Sequence, residues 1–564
     1  MNQFGPQSEA GGVRFRLWAP DADGIVVEVQ GHGEAPLQPA VDGWKEAAVP
    51  CATGARYRFR LGDVVFPDPA SRLQSGGVHG WSVLCPQFEH HSLWGGRPWE
   101  EAVLYECHAG LMGGFAGVAA RLPMLAELGI TAVELMPIAE FPGKRNWGYD
   151  GVLPFAPAEA YGTPAELRTL IERAHRLGMM MFLDVVYNHF GPDGNYLPLY
   201  AKRFFRTDKA TPWGAAIDFR VPQVRRFFEE NARLWLFGYG FDGLRFDAIH
   251  AIADKDWLDE LAADLRREAG DRHIHLVLEN EDNIASHLRR DRFDAQWNDD
   301  IHHPLHILLT GEKTGYYRDF ADQPAELLAR GLAEGFVYQG QASANRKGAP
   351  RGEPSAALSP TAFVAFLQNH DQIGNRAFGE RLTTLANPEA LKAAVALLLL
   401  MPQIPMIFMG EEIGSTAPFL YFTDHGPELA KAVREGRRRE FAFGATAHEH
   451  QIPDPNAVES FEASKPWNAA PLAEQWQRFY RELLALRHHH IVPLLPRAHS
   501  LGARSLGPAA VLAQWQLGEG RVVTMACNLG DGEIAAKLPR KGLIWGTPTA
   551  TLPARTTLAW LEDE

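Results

Sequence analysis

The stretch YGFDGLRFDAIHAI, which runs from Tyr239 to Ile252, combines the apolar side chains of a buried strand with several titratable ones. The titratable side chains are those of Asp242, Arg245, Asp247 and His250. Charged groups are rarely buried unless they are paired or used. Because side chains alternate along a strand, Arg245 and Asp247 share one face. The stretch therefore predicts a buried strand that leads into a charged site.

Seven further apolar runs have the same form, and helical patterns separate them. The eight runs are AVLYECHAG from Ala102, ITAVELMPI from Ile130, MMMFLDVVYNH from Met179, FDGLRFDAI from Phe241, IHLVLENED from Ile274, FDAQWNDD from Phe293, AFVAFLQNHD from Ala362 and PMIFMGEE from Pro405. Eight strands that alternate with helices are typical of an α/β fold, the (β/α)8 or TIM barrel. An open doubly wound sheet is the alternative, but it does not require the number of strands to close at eight.

Most of these runs are apolar at their start and polar at their carboxyl end. Examples are DVVYNH, RFDAIH, LENED, QWNDD, QNHD and MGEE. In barrel enzymes the site is built at the carboxyl ends of the strands and from the loops that follow them. The polar strand ends are therefore expected to converge on one mouth.

The two ends of the chain have a different pattern, with short alternating runs separated by Gly, Asp and Pro. We predict an N-terminal immunoglobulin-like β-sandwich over residues 1–95 and a C-terminal β-sandwich over residues 491–564. The barrel is assigned to residues 96–490, with a short insert after its third strand at residues 190–218.

Composition excludes several classes of function. The 564 residues carry a formal net charge of −14, which argues against a nucleic-acid partner. The start of the chain has no signal-peptide pattern, and the apolar run from Ala393 is interrupted by Pro402 and Pro405, so no membrane span is expected. Four cysteines without CxxC spacing indicate the reducing cytoplasm rather than a zinc site.

The expected mouth is rich in carboxylates but has no metal-ligand, GxSxG or phosphate-loop motif. The candidates are Asp184, Asp247, Glu279, Glu281, Asp282, Asp299, Asp300, Asp371, Glu411 and Glu412. Carboxylates without a metal, with aromatic residues nearby, suit glycoside hydrolysis. That reaction needs one carboxylate and one carboxylic acid, and sugar rings stack on aromatic faces.

Two of these acids have surroundings that predict opposite protonation. Arg245 is expected to keep Asp247 ionised, as a nucleophile requires, although a purely structural ion pair would have the same pattern. Glu279 ends an apolar strand, where desolvation favours the protonated acid. The alternative is that Glu279 is a loop or capping carboxylate and that Glu281 or Asp282 is the acid.

Four motifs in order resemble the four sequence regions of the α-amylase superfamily, glycoside hydrolase family 13. They are DVVYNH from Asp184, GLRFDAIH from Gly243, LVLENED from Leu276 and FLQNHD from Phe366. The resemblance covers residues from about Glu101 to Arg487.

The resemblance implies roles for particular residues. Asp247 matches the nucleophile, Glu279 the general acid/base and Asp371 the third carboxylate. The matched sugar-binding and supporting positions are Arg245, His189, His370, Tyr149, Asn188 and Asp184, with His250 as a neighbour at the sugar site. The implied mechanism is retaining double displacement through a glycosyl-enzyme ester, and no cofactor is expected.

Three further stretches narrow the resemblance to the maltooligosyltrehalose trehalohydrolases. They are WNDDIHH from Trp297, LENEDN from Leu278 and APFLYFTDHGPELAKAVREGRRREF from Ala417. Members of that family cleave the α-1,4 bond next to a terminal trehalose, in an oligosaccharide made by a partner synthase. Arg346, in the loop YQGQASANRKGAPRG, is a candidate for trehalose contact, with an ordinary surface position as the alternative.

Other functions remain possible at this stage. A glycogen branching or debranching enzyme would share the N-terminal module and much of the barrel. A glucan transferase would use the same covalent intermediate. A non-catalytic carbohydrate-binding protein would have lost at least one of the three carboxylates, and all three are present. The short segment from Phe190 to Gly214 leaves little room for the calcium-binding domain of many α-amylases, so no obligatory metal is expected.

Overall fold

The computed structural model describes residues 3–86, 93–289, 291–442 and 452–563. Eight parallel strands close into a barrel, because the last strand pairs with the first, Met406 opposite Leu104. The strands are β1 (Leu104–Cys107), β2 (Ala132–Leu135), β3 (Met180–Val185), β4 (Gly243–Phe246), β5 (His275–Leu278), β6 (Ala295–Trp297), β7 (Phe363–Ala365) and β8 (Ile404–Phe408). The predicted barrel is confirmed, and the open sheet is wrong.

Helices surround the barrel on its outer side. The longer ones are α1 (Gly114–Leu128), α2 (Pro164–Arg176), α3 (Pro222–Arg233), α4 (Asp256–Ala269), α5 (Asp299–Thr310), α6 (Pro324–Glu334), α7 (Pro388–Leu400), α8 (Pro427–Ala442) and α9 (Ala473–Leu486). Short helices cover Leu197–Tyr200, His370–Gly374, Leu382–Leu385 and Val458–Ala463. Between β5 and β6 the described residues form only one helical turn, Ala285–His287. The regular alternation is therefore interrupted next to the end of β5.

Local sequence explains where the helices begin and which faces they bury. Thr163 and Glu166 form a capping box at the start of α2, in which each side chain accepts a backbone N–H of the other residue. The apolar run from Ala393 is the end of α7, which is buried on all sides because the C-terminal sheet covers it. None of the helices in the described ranges is both long and apolar enough to cross a membrane.

The barrel interior is apolar at its base and polar at its mouth. Side chains from seven of the eight strands form a separate cluster inside the barrel. Its members on the strands are Leu104, Ala132, Met180, Phe182, Val277, Ala295, Trp297, Val364, Ile404 and Met406. The interior is thus a packed core, and chemistry is confined to the layer above it.

The N-terminal residues form two antiparallel sheets, as predicted. One contains Gln7–Glu9, Gly12–Trp18, Gln38–Pro39 and Trp44–Val49; the other contains Val26–Val29, Gly33–Pro36, Arg56–Leu61, Val64–Phe66, Gln74–Ser75 and Trp81–Val83. Phe4 packs edge-on against Phe227 of α3 at 5.0 Å, and the backbone N–H groups of Gln3 and Phe4 donate to Glu230. Polar and aromatic contacts therefore attach this module to the barrel.

The C-terminal residues form one five-stranded antiparallel sheet. Its strands are His499–Gly507, Ala510–Gln516, Arg521–Asn528, Leu543–Trp545 and Thr556–Asp563. Its inner face meets α6 and α7, where Trp515 donates to Leu332 O and Thr557 to Ala393 O. A small apolar cluster on this sheet includes Leu552 and Ile534, which an isolated antiparallel β-bridge joins. We propose that the domain limits lie near residues 95 and 490. The N-terminal sheets end before the first limit, and the C-terminal sheet begins after the second.

Candidate active site

The guanidinium of Arg245 is the centre of the mouth. Its Nη1 lies 2.7 Å from Asp184 Oδ2 and 2.7 Å from Asp247 Oδ1, and its Nη2 lies 3.7 Å from Glu279 Oε2. The planar group stacks over the ring of Trp297, with its carbon 4.2 Å from the ring centre. One buried cation therefore gathers carboxyl groups from the ends of three strands.

Asp247 follows β4 directly, and two further groups hold its carboxylate. Asn188 Nδ2 donates to Oδ2 of Asp247 at 2.9 Å and to its carbonyl oxygen at 2.8 Å. Burial by itself raises the pKa of Asp247, but Arg245, Asn188 and His189 outweigh burial and hold the pKa below its ordinary value. Asp247 is thus ionised, and 13% of its side chain remains exposed to the mouth.

Glu279 follows β5 and has the opposite protonation. Burial is the main cause that raises the pKa of Glu279 to about 8, and the negative charges of Asp247 and Asp299 raise it further. The positive charge of Arg245 lowers this pKa but offsets burial only in part. The N–H of Ala248 donates to Oε2 at 2.6 Å. Ala248 adopts the left-handed conformation (φ 42°, ψ 47°), which aims this N–H at Glu279. Glu279 is therefore protonated at neutral pH.

The neighbouring acids Glu281 and Asp282 lie outside this centre. The side chain of Glu281 is 56% exposed and lies 3.4 Å from Arg346. Asp282 pairs with Lys255 at 2.8 Å and with Arg346 at 2.8 Å. Of the three acids after β5, the one that lies beside Arg245 is Glu279.

His370 and Asp371 form the start of the short helix after β7. Asp371 is exposed in the mouth, and Asn375 Nδ2 donates to its Oδ1 at 2.5 Å. The His370 ring is stacked against Tyr149, with 5.0 Å between ring centres, and Tyr149 in turn donates to Asp184 at 2.6 Å. Asp184 itself is buried behind Tyr149 and Arg245, where it braces both.

The insert after β3 contributes an aromatic wall that the sequence did not single out. It forms a hairpin from Phe205–Thr211 and Gly214–Ile217, with Trp213 at its tip. Trp213 is half exposed and stacks on His189 at 5.3 Å between ring centres. His189 also shares a hydrogen bond with Asn188. An exposed indole stacked on His189 is a suitable face for a sugar ring.

Two of the predicted site residues lie on the rim. Nδ1 of His250 accepts from the N–H of Glu281 at 3.4 Å, and Arg346 donates to the carbonyl of Glu281 at 3.1 Å. Burial lowers the pKa of His250 despite the nearby carboxylates. Both residues thus contact the loop that carries Glu279, through Glu281.

Three of the remaining acids serve the local fold. Asp300 accepts from the N–H groups of Val337 and Tyr338, Glu411 accepts from Phe408 N, and Glu412 accepts from Tyr105. Within the described part of the chain, no group of three or more His, Cys, Asp or Glu side chains is placed to hold a metal ion.

Comparison with known proteins agrees with this arrangement. Residues 96–210 match the model of the alpha amylase catalytic domain, and residues 498–560 match a domain of unknown function, DUF3459. The malto-oligosyltrehalose trehalohydrolase of Deinococcus radiodurans is 40% identical over 86% of this chain and 82% of its own length. That of Saccharolobus solfataricus is 39% identical over 86% and 87% of the two chains.

A solved structure is similar over the whole chain. It is described as a putative alpha amylase from Salmonella typhimurium, is 43% identical, and superposes over 100% of both chains with a TM-score of 0.94. The barrel, its mouth of carboxylates and these relatives lead to one conclusion. The chain belongs to the malto-oligosyltrehalose trehalohydrolase family of the α-amylase superfamily.

Proposed function

We propose that this chain is a retaining glycoside hydrolase that cleaves the α-1,4-glucosidic bond next to the terminal trehalose of maltooligosyltrehalose and releases trehalose. The relatives carry the name of this activity. The observation that carries the chemistry is that an ionised Asp247 and a protonated Glu279 face the same guanidinium. A retaining enzyme needs such a pair, with its carboxyl groups roughly 5–5.5 Å apart.

The first step uses these two protonation states together. A carboxylate oxygen of Asp247 attacks the anomeric carbon, while Glu279 gives its proton to the glycosidic oxygen of the departing trehalose. The products are a glycosyl ester on Asp247 and free trehalose. Arg245 stays beside both carboxyl groups, so the negative charge that Glu279 acquires remains compensated.

The second step follows from the change of charge at Asp247. The negative charge of Asp247 is one of the causes of the high pKa of Glu279. Asp247 loses this charge when it becomes an ester. The pKa of Glu279 therefore falls, and its carboxylate can take a proton from the attacking water. Hydrolysis of the ester restores Asp247 as a carboxylate and Glu279 as an acid. Each step uses only side chains of the chain and water.

The groups around this pair are proposed as sugar contacts. Asp371 is exposed in the mouth and can accept from sugar hydroxyls, while the rings of Tyr149 and Trp213 offer faces for stacking. His189 and His370 border the same space. Arg346, on the rim, is proposed to contact the departing trehalose, and His250 is proposed as a neighbour at the sugar site.

The proposal includes a supply of substrate and a location. A synthase that converts the reducing end of a maltooligosaccharide into trehalose must supply the substrate. We place the reaction in the cytoplasm, which suits the four unpaired cysteines Cys51, Cys85, Cys107 and Cys527.

The test offers the purified protein maltopentaose and, separately, the same chain ending in trehalose. We expect rapid release of trehalose from the second substrate and much slower attack on the first, measured by chromatography of the products. Equal cleavage of both, or the appearance of new α-1,6 branches, would contradict the assignment. Disproportionation of maltopentaose into longer chains would indicate a transferase instead.

A further inference from the structure

We propose that Glu106 is a positioning residue for His370: its carboxylate holds the imidazole with Nδ1 bound inward and Nε2 presented to the sugar. The inference rests on the proposed function, because the sugar contact of His370 belongs to it. Glu106 lies in β1, whereas His370 follows β7, so β8 separates the two strands. The side chain of Glu106 therefore reaches past β8 to the residue that follows β7.

Both oxygens of Glu106 are used by the same residue. The N–H of His370 donates to Oε2 at 3.1 Å, and the ring Nδ1 is hydrogen-bonded to Oε1. The side chain of Glu106 is 1% exposed. One buried carboxylate thus fixes the first residue of the short helix His370–Gly374 and the rotation of its ring.

The contact defines which ring nitrogen is available. A carboxylate oxygen can only accept, so Nδ1 must carry a proton. Within the described ranges, the ring of His370 is hydrogen-bonded to Glu106 through Nδ1, which leaves Nε2 for a substrate. Tyr149 stacks on one face of the ring and Trp147 meets it edge-on at 5.6 Å. The ring cannot turn without losing these contacts.

The charge of Glu106 also affects the protonation of the His370 ring. Burial lowers the pKa of His370, but the charge and hydrogen bond of Glu106 outweigh burial, so the pKa lies above its ordinary value. An imidazolium can donate from both nitrogens, and a charge-assisted bond to a sugar hydroxyl is stronger than a neutral one. The titratable groups that face His370 are Glu106, Arg245, Asp371, Asp184 and His108.

A matched control lies on the next strand. Glu134 of β2 is opposite Glu106 in the sheet register and is equally buried, at 1% exposure. Neither of its carboxyl oxygens has a hydrogen-bond partner within the described ranges. Burial, with the charges of Asp184 and Glu106, raises the pKa of Glu134 well above its ordinary value. Glu134→Gln therefore changes a buried glutamate in the same layer without removing a contact to His370.

The experiment is a double-mutant cycle on kcat/KM with Glu106→Gln and His370→Asn. We expect Glu106→Gln to lower kcat/KM by about 10²-fold, the effect of a displaced catalytic group. In the His370→Asn background the same substitution should have a much smaller further effect, because the ring is gone and only the bond from the backbone N–H of residue 370 remains. Glu134→Gln should stay close to the parent in both backgrounds. An equal loss from Glu106→Gln in both backgrounds would overturn the proposal.

A spectroscopic readout separates positioning from a general loss of structure. In proton and carbon NMR of histidine-labelled protein, the ring signal that disappears in His370→Asn identifies His370. Its apparent pKa should fall in Glu106→Gln and stay unchanged in Glu134→Gln; an unchanged value in Glu106→Gln would overturn the proposal. If Glu106→Gln does not fold, Glu106→Asp replaces it in the double-mutant cycle. Aspartate keeps the negative charge, but its shorter side chain cannot reach the ring of His370 in the same way. Product analysis of the wild-type chain tests the proposed function independently.

Discussion

Asp242 and Asp247 lie at the two ends of β4 and differ in how their carboxylates are surrounded. Asp242 precedes the strand at the base of the barrel, and Asp247 follows it at the mouth. Both have a pKa below the ordinary value although burial raises it, since nearby donors and positive charges outweigh burial. A low pKa therefore does not distinguish a structural aspartate from a reactive one.

The difference lies in the number of donors. Asp242 is fully buried and accepts from Trp94 Nε1 at 2.8 Å, His175 Nε2 at 2.9 Å, Met181 N at 2.9 Å and Arg272 Nη2 at 3.4 Å. Each oxygen has two fixed partners. Its position, outside the site predicted from the sequence, agrees with a structural role.

Asp247 has fewer partners and an open side. Arg245 binds one oxygen and Asn188 the other, and 13% of the side chain remains accessible from the mouth. A carboxylate that is charged but not saturated with donors can still approach an electrophilic carbon. The comparison teaches that a nucleophile is marked by the access left to it as well as by its ionisation.

The substitution Asp247→Asn gives the largest expected effect. It keeps the shape of the side chain but removes the nucleophilic charge, so kcat should fall by about 10⁴-fold or more. Trehalose release in a single-turnover assay measures this loss, and circular dichroism checks the fold. Turnover close to that of the wild type would show that Asp247 is no more reactive than Asp242.

The substitution Glu279→Gln gives the next largest effect. Removal of the acid should lower kcat by about 10²- to 10⁴-fold. In the wild type the protonated form of Glu279 is the active one, so kcat/KM should decline as pH rises through about 8. This alkaline limb should disappear in Glu279→Gln and persist in the control Glu281→Gln. The opposite pattern would mean that Glu281 is the acid.

The substitution Asp242→Asn should affect stability and leave catalysis nearly intact. An amide cannot accept from all four donors of Asp242, and the guanidinium of Arg272 would lose its charged partner. We expect the free energy of unfolding to fall by about 3–5 kcal/mol, as for other broken buried ion pairs. Urea unfolding followed by tryptophan fluorescence measures the change.

Activity per folded molecule is the control for the last substitution. It should match the wild type, because Asp242 lies at the opposite end of β4 from Asp247. A large loss of kcat in folded Asp242→Asn, or no loss of stability, would remove the distinction between the two aspartates.

Some site residues could not be predicted because their partners are far apart in the chain. Glu106 and His370 are separated by 264 positions, and a single glutamate in an apolar strand has no local signal of a contact. Its position inside the apolar run AVLYECHAG was the only indication. Trp213 was missed because the fold of the hairpin, rather than a motif, brings it onto His189.

The sequence by itself determined the barrel, because eight apolar runs that turn polar at one end have few other ways to bury their apolar side chains. It also predicted the reacting carboxylates, through four ordered motifs. Only the tertiary structure decided which acid stands beside Arg245, which aspartate stays open, and how Glu106 meets His370. Protonation and access depend on burial and on donors from distant strands, and these exist only once the barrel has closed.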